Sequence, residues 1–217
     1  MPLLLPLQGH LPGDASWFLK VNSFARHTPA LHTAFVSYAK YGMALFALLL
    51  LASWWLARGA RDVSRVAAAL WAPLGALLAL ALNQPLVNGF QEPRPYATLP
   101  HVLLLVSHSS DYSFPSDHAV MAGAVAAGVL LANRRLGVVA CLAALLMAFA
   151  RVYVGAHYPG DVLVGLLVGA IVTVVAFAAL RVLLIKTLTV LARTPLRRLV
   201  LAAPVEKTGP DSALARR

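Results

Sequence analysis

Five long segments rich in Leu, Ala and Val carry almost no charge, and they restrict this chain to a membrane-embedded fold. The segments are residues 41–57, 66–87, 115–133, 136–150 and 162–180. About 20 helical residues cross a bilayer core of roughly 30 Å, and the fourth segment reaches that length by running on to about Gly155. Only helices and closed barrels satisfy backbone groups in lipid, and these segments lack the alternating polarity of barrel strands. The sequence therefore predicts an all-α polytopic membrane bundle with about five spanning helices.

Composition supports a membrane setting. Hydrophobic residues make up 60% of the chain and charged residues 12%, a balance typical of membrane proteins. The net charge of +10 would also suit a nucleic-acid binder, but the cations cluster at the ends of the apolar segments and beyond about Thr194. Cations in such positions usually meet anionic lipid headgroups, so we predict the bilayer, and not nucleic acid, as the partner. The single cysteine, Cys141, is predicted to pack within an apolar segment.

Apolar residues also recur at helical spacing before the first long segment. They are Trp17, Phe18, Val21, Phe24 and Ala25. Polar residues lie between them, and this pattern predicts a short amphipathic helix in the membrane interface, with a loose N-terminal arm as the alternative. Residues 29–40 are expected to extend the first spanning helix outward, with a sixth, partial crossing as the alternative.

These patterns predict three regions and an orientation. The regions are an N-terminal arm with the interfacial helix at 1–40, a transmembrane domain at 41–186, and a basic, flexible cytoplasmic tail at 187–217. With five spans, thirteen of the 18 Lys and Arg residues fall on one side and five on the other. By the positive-inside rule the larger set is cytoplasmic, so we expect a multi-pass membrane protein with the smaller set on the extracytoplasmic side.

Three short polar segments stand at the ends of the apolar segments, all on the side predicted to be extracytoplasmic. They are Pro93-Arg94-Pro95, Pro115-Ser116-Asp117-His118, and Arg151 followed by His157 and Asp161. Together they supply two imidazoles, two guanidiniums, carboxylates and a hydroxyl. This set of groups is suited to binding phosphate.

Phosphoryl transfer explains why these residue types would come together. The transferred group carries negative charge on its equatorial oxygens, so a catalyst needs fixed cations, a nucleophile and an acid for the leaving oxygen. Arg94 and Arg151 can bind oxygens through planar, bidentate hydrogen bonds. His157 is the predicted nucleophile, with Asp161 holding its tautomer, and His118 is the predicted general acid.

Two prolines suggest where the helices begin. Pro115 and Pro159 each precede an apolar run, and proline is favoured in a first helical turn, so both histidines are expected at or just before helix N-termini. Such termini attract anions. Asp161 would then lie in a first turn and reach back to His157, and the hydroxyl of Ser116 would donate to a phosphate oxygen.

The order of these segments resembles the type 2 phosphatidic acid phosphatase superfamily. Its signatures are Lys, six residues, Arg-Pro; then Pro-Ser-Gly-His; then Ser-Arg, five residues, His, three residues, Asp. The resemblance covers roughly residues 40–185 and is greatest to the bacterial undecaprenyl pyrophosphate phosphatases. This chain departs from the signatures at Val87, Asp117 and Ala150. Gln91, Asn88 and Lys40 are candidates to replace the missing lysine, and Asp117 adds a carboxylate to the phosphate-binding set.

The resemblance implies a phosphatase of a bacterial cytoplasmic (inner) membrane, without metal or other cofactor, acting through a phosphohistidine on undecaprenyl pyrophosphate. Phosphatidic acid or phosphatidylglycerol phosphate is the nearest alternative substrate. The residues also leave open a zinc hydrolase with His118, His157 and Asp161 as ligands, a vanadate peroxidase, and a non-enzymatic transporter or lipid-binding protein. Arg151 could instead form a purely structural ion pair with Asp161.

Overall fold

Helices and short connections make up the part of the chain that the computed structural model describes, residues 13–201, and no strand occurs there. The helices are α1 (Asp14–His27), α2 (His32–Tyr41), α3 (Met43–Gly59), α4 (Val63–Phe90), α5 (Pro95–Thr98), α6 (Asp117–Ala132), α7 (Arg134–Tyr153), α8 (Pro159–Leu191) and α9 (Arg197–Val200). A 3₁₀ turn, Pro29–Leu31, joins α1 to α2. The predicted all-α class is confirmed.

Each of the five predicted spanning segments contains a helix, but the helices differ in length. Three stretches are long and apolar enough to cross a bilayer: Val63–Thr98, Arg134–Tyr153 and Pro159–Leu191. Helices α2 and α3 meet at 56° and reach that length only as a bent pair. Residues 29–40 therefore do not extend α3 in a straight line. The bend lies at Gly42, where a Cβ atom would come within 2.4 Å of the Tyr38 carbonyl oxygen.

Helix α6 is shorter than its apolar segment suggested. It has 16 residues, or about 24 Å at 1.5 Å per residue. Ser116 keeps an extended backbone, so the helix begins at Asp117, and Pro115 lies before the first turn and not within it. Pro159, in contrast, is the first residue of α8, as predicted. The accessible polar residues Asp117 and His118 thus lie in the first turn of α6.

Close helix contacts hold α6 at the centre of the bundle, between α4, α7 and α8. A Cβ atom added at Gly123 would lie 2.3 Å from the Leu166 carbonyl oxygen, and one at Gly169 would lie 2.0 Å from that of Val120. Small residues at such positions let helix backbones approach closely in membranes. This packing fixes the start of α6 next to the start of α8, so the residues at both starts are neighbours.

Helix α1 exists as predicted, but its apolar residues divide between two faces. Phe18 and Ala25 are fully buried, whereas Trp17 is 60% and Phe24 47% exposed. The buried face also contains polar residues, which the sequence pattern did not predict. One face of α1 therefore packs on the bundle while the other remains open, as an interfacial helix requires.

Helix α8 runs into the segment predicted as the tail. Helix α8 continues to Leu191, past the predicted boundary at 187, because Leu188 packs with Val200 of α9 in a small apolar cluster. Residues 202–217 of the predicted tail lie outside the described residues, as do residues 1–12 of the predicted arm.

Candidate active site

Five of the seven predicted site residues line one cavity of about 450 Å³. They are Arg94, Asp117, His118, Arg151 and His157. Residues far apart in the chain are thus brought together at one end of the bundle. The other two, Ser116 and Asp161, are fully buried and do not line the cavity. The predicted donation from the Ser116 hydroxyl to a cavity ligand is therefore not supported by its position.

These side chains come from the ends of helices and from the loop between α7 and α8. The positions are Arg94 before α5, Asp117 and His118 in the first turn of α6, Arg151 in the last turn of α7, and His157 in the α7–α8 loop. The backbone N–H of Ser116 donates to the carbonyl of Asp161 at 3.1 Å and so ties the start of α6 to that of α8. Two helix N-termini with positive partial charge therefore lie side by side.

The two ring nitrogens of His157 have different partners. Nδ1 lies 2.9 Å from the carbonyl oxygen of Ser113, which can only accept, so Nδ1 carries the proton. Nε2 then has a lone pair, and Nη1 of Arg94 donates to it at 3.1 Å. This is the tautomer that a nucleophilic histidine needs. From the sequence, Asp161 was expected to hold the tautomer of His157. Its Oδ2 lies 3.4 Å from Nδ1, which is farther than the Ser113 carbonyl oxygen.

Asp161 reaches back to His157 from the first turn of α8, as predicted, and it is held there from two sides. Its Oδ2 accepts from the backbone N–H of Tyr158 at 2.8 Å and from the hydroxyl of Ser113. Ser113 thus contacts both the histidine and the carboxylate, although no sequence motif singled it out. In the sequence, Ser113 was marked only by its position two residues before Pro115, next to the segment Pro115-Ser116-Asp117-His118.

The surroundings of His157 disfavour its charged form. The side chain is almost fully buried, and burial lowers its pKa well below the usual 6.5. The positive charges of Arg151 and Arg94 lower the pKa further, while the hydrogen bond to Ser113 opposes them. The imidazole is therefore neutral at pH 7, with a lone pair available for attack.

The two arginines are fixed to different degrees. Nε of Arg94 donates to the carbonyl of Asp111 at 2.9 Å, and its Nη1 lies 3.2 Å from the carbonyl of Ala156. Nε of Arg151 is buried and has no hydrogen-bond partner among the described residues. A structural ion pair would have given this guanidinium a fixed partner. An unpaired donor beside a cavity instead suits an anionic ligand.

Two amide side chains on α4 hold Asp117, and the sequence analysis missed both of them. Nδ2 of Asn83 donates to Oδ1 of Asp117 at 2.7 Å, and Nε2 of Gln84 lies 3.2 Å from the same oxygen. Asn83 is fully buried. Polar residues inside a membrane helix are costly and usually functional, so this adjacent pair was the available signal.

The position at which the superfamily signature has lysine lies on the cavity wall. Val87 lines the cavity together with Gln84 and Asn88, whereas Gln91 and Lys40 do not. Nζ of Lys40 lies over the ring of Tyr41, 5.2 Å from its centre. Of the three proposed replacements, only Asn88 is therefore in place, and it offers a neutral donor where the signature has a cation.

The geometry does not favour the zinc alternative. Among residues 13–201, no three His, Cys, Asp or Glu side chains are grouped so that they could hold a metal ion. The guanidinium of Arg94 lies 3.1 Å from Nε2 of His157, and this positive charge would repel a metal cation at that nitrogen. The cavity combines cations and imidazoles, which suits an anion better than a metal.

Comparisons with known proteins agree with the motifs. Residues 68–184 match the family model described as PAP2 superfamily. The chain is 33% identical over 156 residues to the undecaprenyl-diphosphatase BcrC of Bacillus subtilis, which covers 71% of this chain and 78% of that protein.

Solved structures share the fold. The crystal structure of Aquifex aeolicus LpxE matches with a TM-score of 0.63 and 29% identity, over 80% of this chain and 99% of that one. A transmembrane PAP2 type phosphatidylglycerolphosphate phosphatase from Bacillus subtilis matches with a TM-score of 0.56 and 19% identity, over 78% of this chain and 87% of that one. The family expected from the three polar segments is thereby confirmed: this chain belongs to the PAP2 superfamily and is a membrane-embedded hydrolase of lipid phosphates.

Proposed function

We propose that this chain hydrolyses a polyprenyl diphosphate, undecaprenyl pyrophosphate being the expected substrate, to the monophosphate through a phosphohistidine. The observation that carries the mechanism is the bonding of His157. Its Nδ1 proton is held by the Ser113 carbonyl at 2.9 Å, and its Nε2 lone pair lies beside Arg94 at the cavity. A neutral, oriented imidazole next to fixed cations is what direct attack on phosphorus requires.

The first step transfers the terminal phosphoryl group to the enzyme. Nε2 of His157 forms a bond to phosphorus while the bond from phosphorus to the bridging oxygen breaks, and the electron pair leaves with the lipid monophosphate. His118 gives its proton to that departing oxygen. The positive charge that develops on His157 is stabilised by the Ser113 carbonyl and the Asp161 carboxylate.

The second step frees the enzyme. A water molecule attacks the phosphohistidine, His118 takes up one of its protons, and the phosphorus–nitrogen bond breaks with its electron pair returning to Nε2. Inorganic phosphate leaves, and both histidines regain their starting protonation. Arg94 and Arg151 hold the equatorial oxygens in both steps, so their charge acts where the transition state is most negative.

The similarity to BcrC supports the diphosphate as substrate, since that protein is named an undecaprenyl-diphosphatase. The spent lipid diphosphate carrier is released on the outer leaflet, and the positive-inside rule predicts the cavity on the same side. We therefore propose an inner-membrane enzyme with an extracytoplasmic site. Phosphatidic acid and phosphatidylglycerol phosphate are the alternative substrates to compare.

The direct test is phosphate release by the purified protein in detergent. Undecaprenyl pyrophosphate, phosphatidic acid and phosphatidylglycerol phosphate are compared at equal concentration, with excess EDTA present throughout. We expect the diphosphate to be hydrolysed fastest and EDTA to have no effect. Faster hydrolysis of a monophosphate would contradict the proposed substrate. Loss of activity in EDTA would contradict the proposed metal-free mechanism.

A matched pair of variants tests the nucleophile. His157→Ala removes the proposed attacking group, whereas His101→Ala removes an exposed histidine outside the cavity. We expect acid-quenched phosphoenzyme from the unmodified protein and from His101→Ala, and none from His157→Ala. Phosphoenzyme in His157→Ala would place the nucleophile elsewhere, and transport or lipid binding without phosphate release would support the non-enzymatic alternative.

A further inference from the structure

Helix α1 precedes the matched family region, 68–184, yet its inner face contacts the segment that carries His157. The buried residues of α1 recur every three or four positions along one side. They are Asp14, Phe18, Asn22 and Ala25. Two of the four are polar, which is unusual for a helix face that only fills space.

Asp14 binds the first turn of α8. Its Oδ1 accepts from the backbone N–H of Gly160 at 2.9 Å, and the side chain is only 4% exposed. The first N–H groups of a helix have no partner within the helix, and a carboxylate there is stabilised by the helix dipole. Gly160 immediately precedes Asp161, so α1 fixes the turn from which that carboxylate reaches His157.

Phe18 holds the other side of the same turn. Its ring packs edge-on against Tyr158, with 5.6 Å between ring centres, and it is fully buried. The backbone N–H of Tyr158 donates to Asp161. Residues 14 and 18 lie one helical turn apart, so a single face of α1 contacts the chain on both sides of Pro159.

Asn22 extends these contacts to a second loop. Its amide pairs with both backbone groups of Leu103, at 2.8 and 3.0 Å. That loop packs against the start of the His157 segment: Leu105 donates to the carbonyl of Val154 at 3.0 Å. A Cβ atom at Gly155 would lie 2.4 Å from the Leu103 carbonyl oxygen. The segment 154–160 is thus enclosed by α1 and by a loop that α1 holds.

We propose that α1 is a clamp for the nucleophile segment and that Asp14 is a positioning residue for the reaction. Through Gly160, Asp14 keeps Asp161 and therefore His157 in the geometry for attack. The proposal rests on the proposed function of His157. The outer face of α1, with Trp17 exposed and the Lys20 ammonium 4.4 Å from its ring centre, faces away from the clamp.

The test compares two substitutions at one position. Asp14→Ala removes the acceptor for the Gly160 N–H, whereas Asp14→Asn keeps a carbonyl oxygen in the same place. Ser16→Ala is the control, because Ser16 is exposed on the same helix and bonds only to Gly13 within its own turn. Rapid-quench measurements on undecaprenyl pyrophosphate give the rate of phosphohistidine formation, and steady-state assays give KM.

We expect Asp14→Ala to slow phosphohistidine formation by about 30-fold with KM changed less than about twofold, since small misplacements of reacting groups have effects of this order. Asp14→Asn should remain within about threefold of the unmodified rate, and Ser16→Ala should equal it. An unchanged rate in Asp14→Ala, or equal losses in Ala and Asn variants, would overturn the clamp.

Two further observations keep the test decisive. If Asp14→Ala does not fold, Phe18→Leu replaces it, with an expected threefold or so slower phosphorylation at unchanged KM, and an unchanged rate overturns the proposal. If the unmodified protein releases phosphate but forms no phosphohistidine, the proposed function of His157 fails, and the clamp fails with it. The two failures are therefore distinguished by the unmodified protein alone.

Discussion

The first turns of α8 and α6 lie side by side at the phosphate cavity, but their hydrogen bonding differs. At the start of α8, the N–H groups of Tyr158 and Gly160 are bound by the carboxylates of Asp161 and Asp14. At the start of α6, Ser116 forms no side-chain cap, and its buried hydroxyl has no partner among the described residues. Carboxylates thus hold the N–H groups at the start of α8, whereas the start of α6 is held by the amides of Asn83 and Gln84 through Asp117.

This difference agrees with the roles proposed for the two histidines. His157, beside α8, must keep one orientation so that its lone pair points at phosphorus. His118, on α6, is half-buried and lines the open cavity, where it must follow an oxygen that moves as the lipid departs. A nucleophile bonded at both ring nitrogens thus faces an acid on the wall of the open cavity, at two neighbouring helix starts.

The largest expected effect separates the two histidines. His118→Ala should reduce hydrolysis of a lipid diphosphate by about 10³-fold, the usual size for loss of a general acid. With a phosphate ester whose leaving group needs no proton, this variant should still form phosphohistidine in a rapid-quench assay. If it forms none with either substrate, the division of roles between α6 and α8 is wrong.

Arg151 lines the same cavity as the two histidines, so Arg151→Lys tests the cation they share. Lysine keeps the charge but loses the planar fork, and we expect kcat to fall by about 10²-fold. Arg135→Lys, at the exposed other end of α7, is the matched control and should retain full activity. A mild effect at Arg151 would mean that charge alone, without bidentate geometry, serves the transition state.

Ser113→Ala weakens the hydrogen bonding at the start of α8. The variant keeps the backbone carbonyl that binds Nδ1 of His157 but removes the hydroxyl that donates to Asp161. A hydrogen bond to a charged group contributes about 1.5–3 kcal/mol, so kcat should fall by about tenfold or more. Ser107→Ala, at an exposed position in the same loop, should have no effect on kcat in the same assay.

Val87→Lys would return a cation to the position where the superfamily signature has lysine. Val87 is 8% exposed and lines the cavity on α4, so a lysine there could direct its ammonium group toward a bound phosphate. We expect KM for the diphosphate to fall about threefold, consistent with an added charge at a partly hydrated site. A higher KM in a folded variant would show that Asn88 and Gln84 already fill this role.

The smallest expected effect is on the pH profile. Because the pKa of His157 is lowered well below 6.5, its imidazole stays neutral as the pH falls from 7.5 to 6. With the phosphate ester whose leaving group needs no proton from His118, the rate of phosphohistidine formation should therefore change by less than about twofold, whereas a nucleophilic histidine of ordinary pKa would lose most of its neutral form. The unfolded chain does take up this proton near pH 6.5, so folding stability should decrease below that pH.

The sequence predicted the parts of this site that depend on local patterns. Pro159 marked the start of α8, and the spacing of His157 and Asp161 indicated that they meet. Contacts between distant residues left no such pattern: Ser113 reaches Asp161 across 48 positions, and Asp14 reaches Gly160 across 146. The wrong expectation for Pro115 has a local cause, since the extended backbone of Ser116 delays the first turn.

The short length of α6 has a consequence for how a lipid substrate reaches the site. At about 24 Å, the central helix of the bundle is shorter than a hydrocarbon core of roughly 30 Å. Because α4, α7 and α8 surround it, neighbouring protein and not lipid makes up the difference in length. A lipid phosphate therefore has to bring its headgroup between the surrounding helices to reach the first turn of α6.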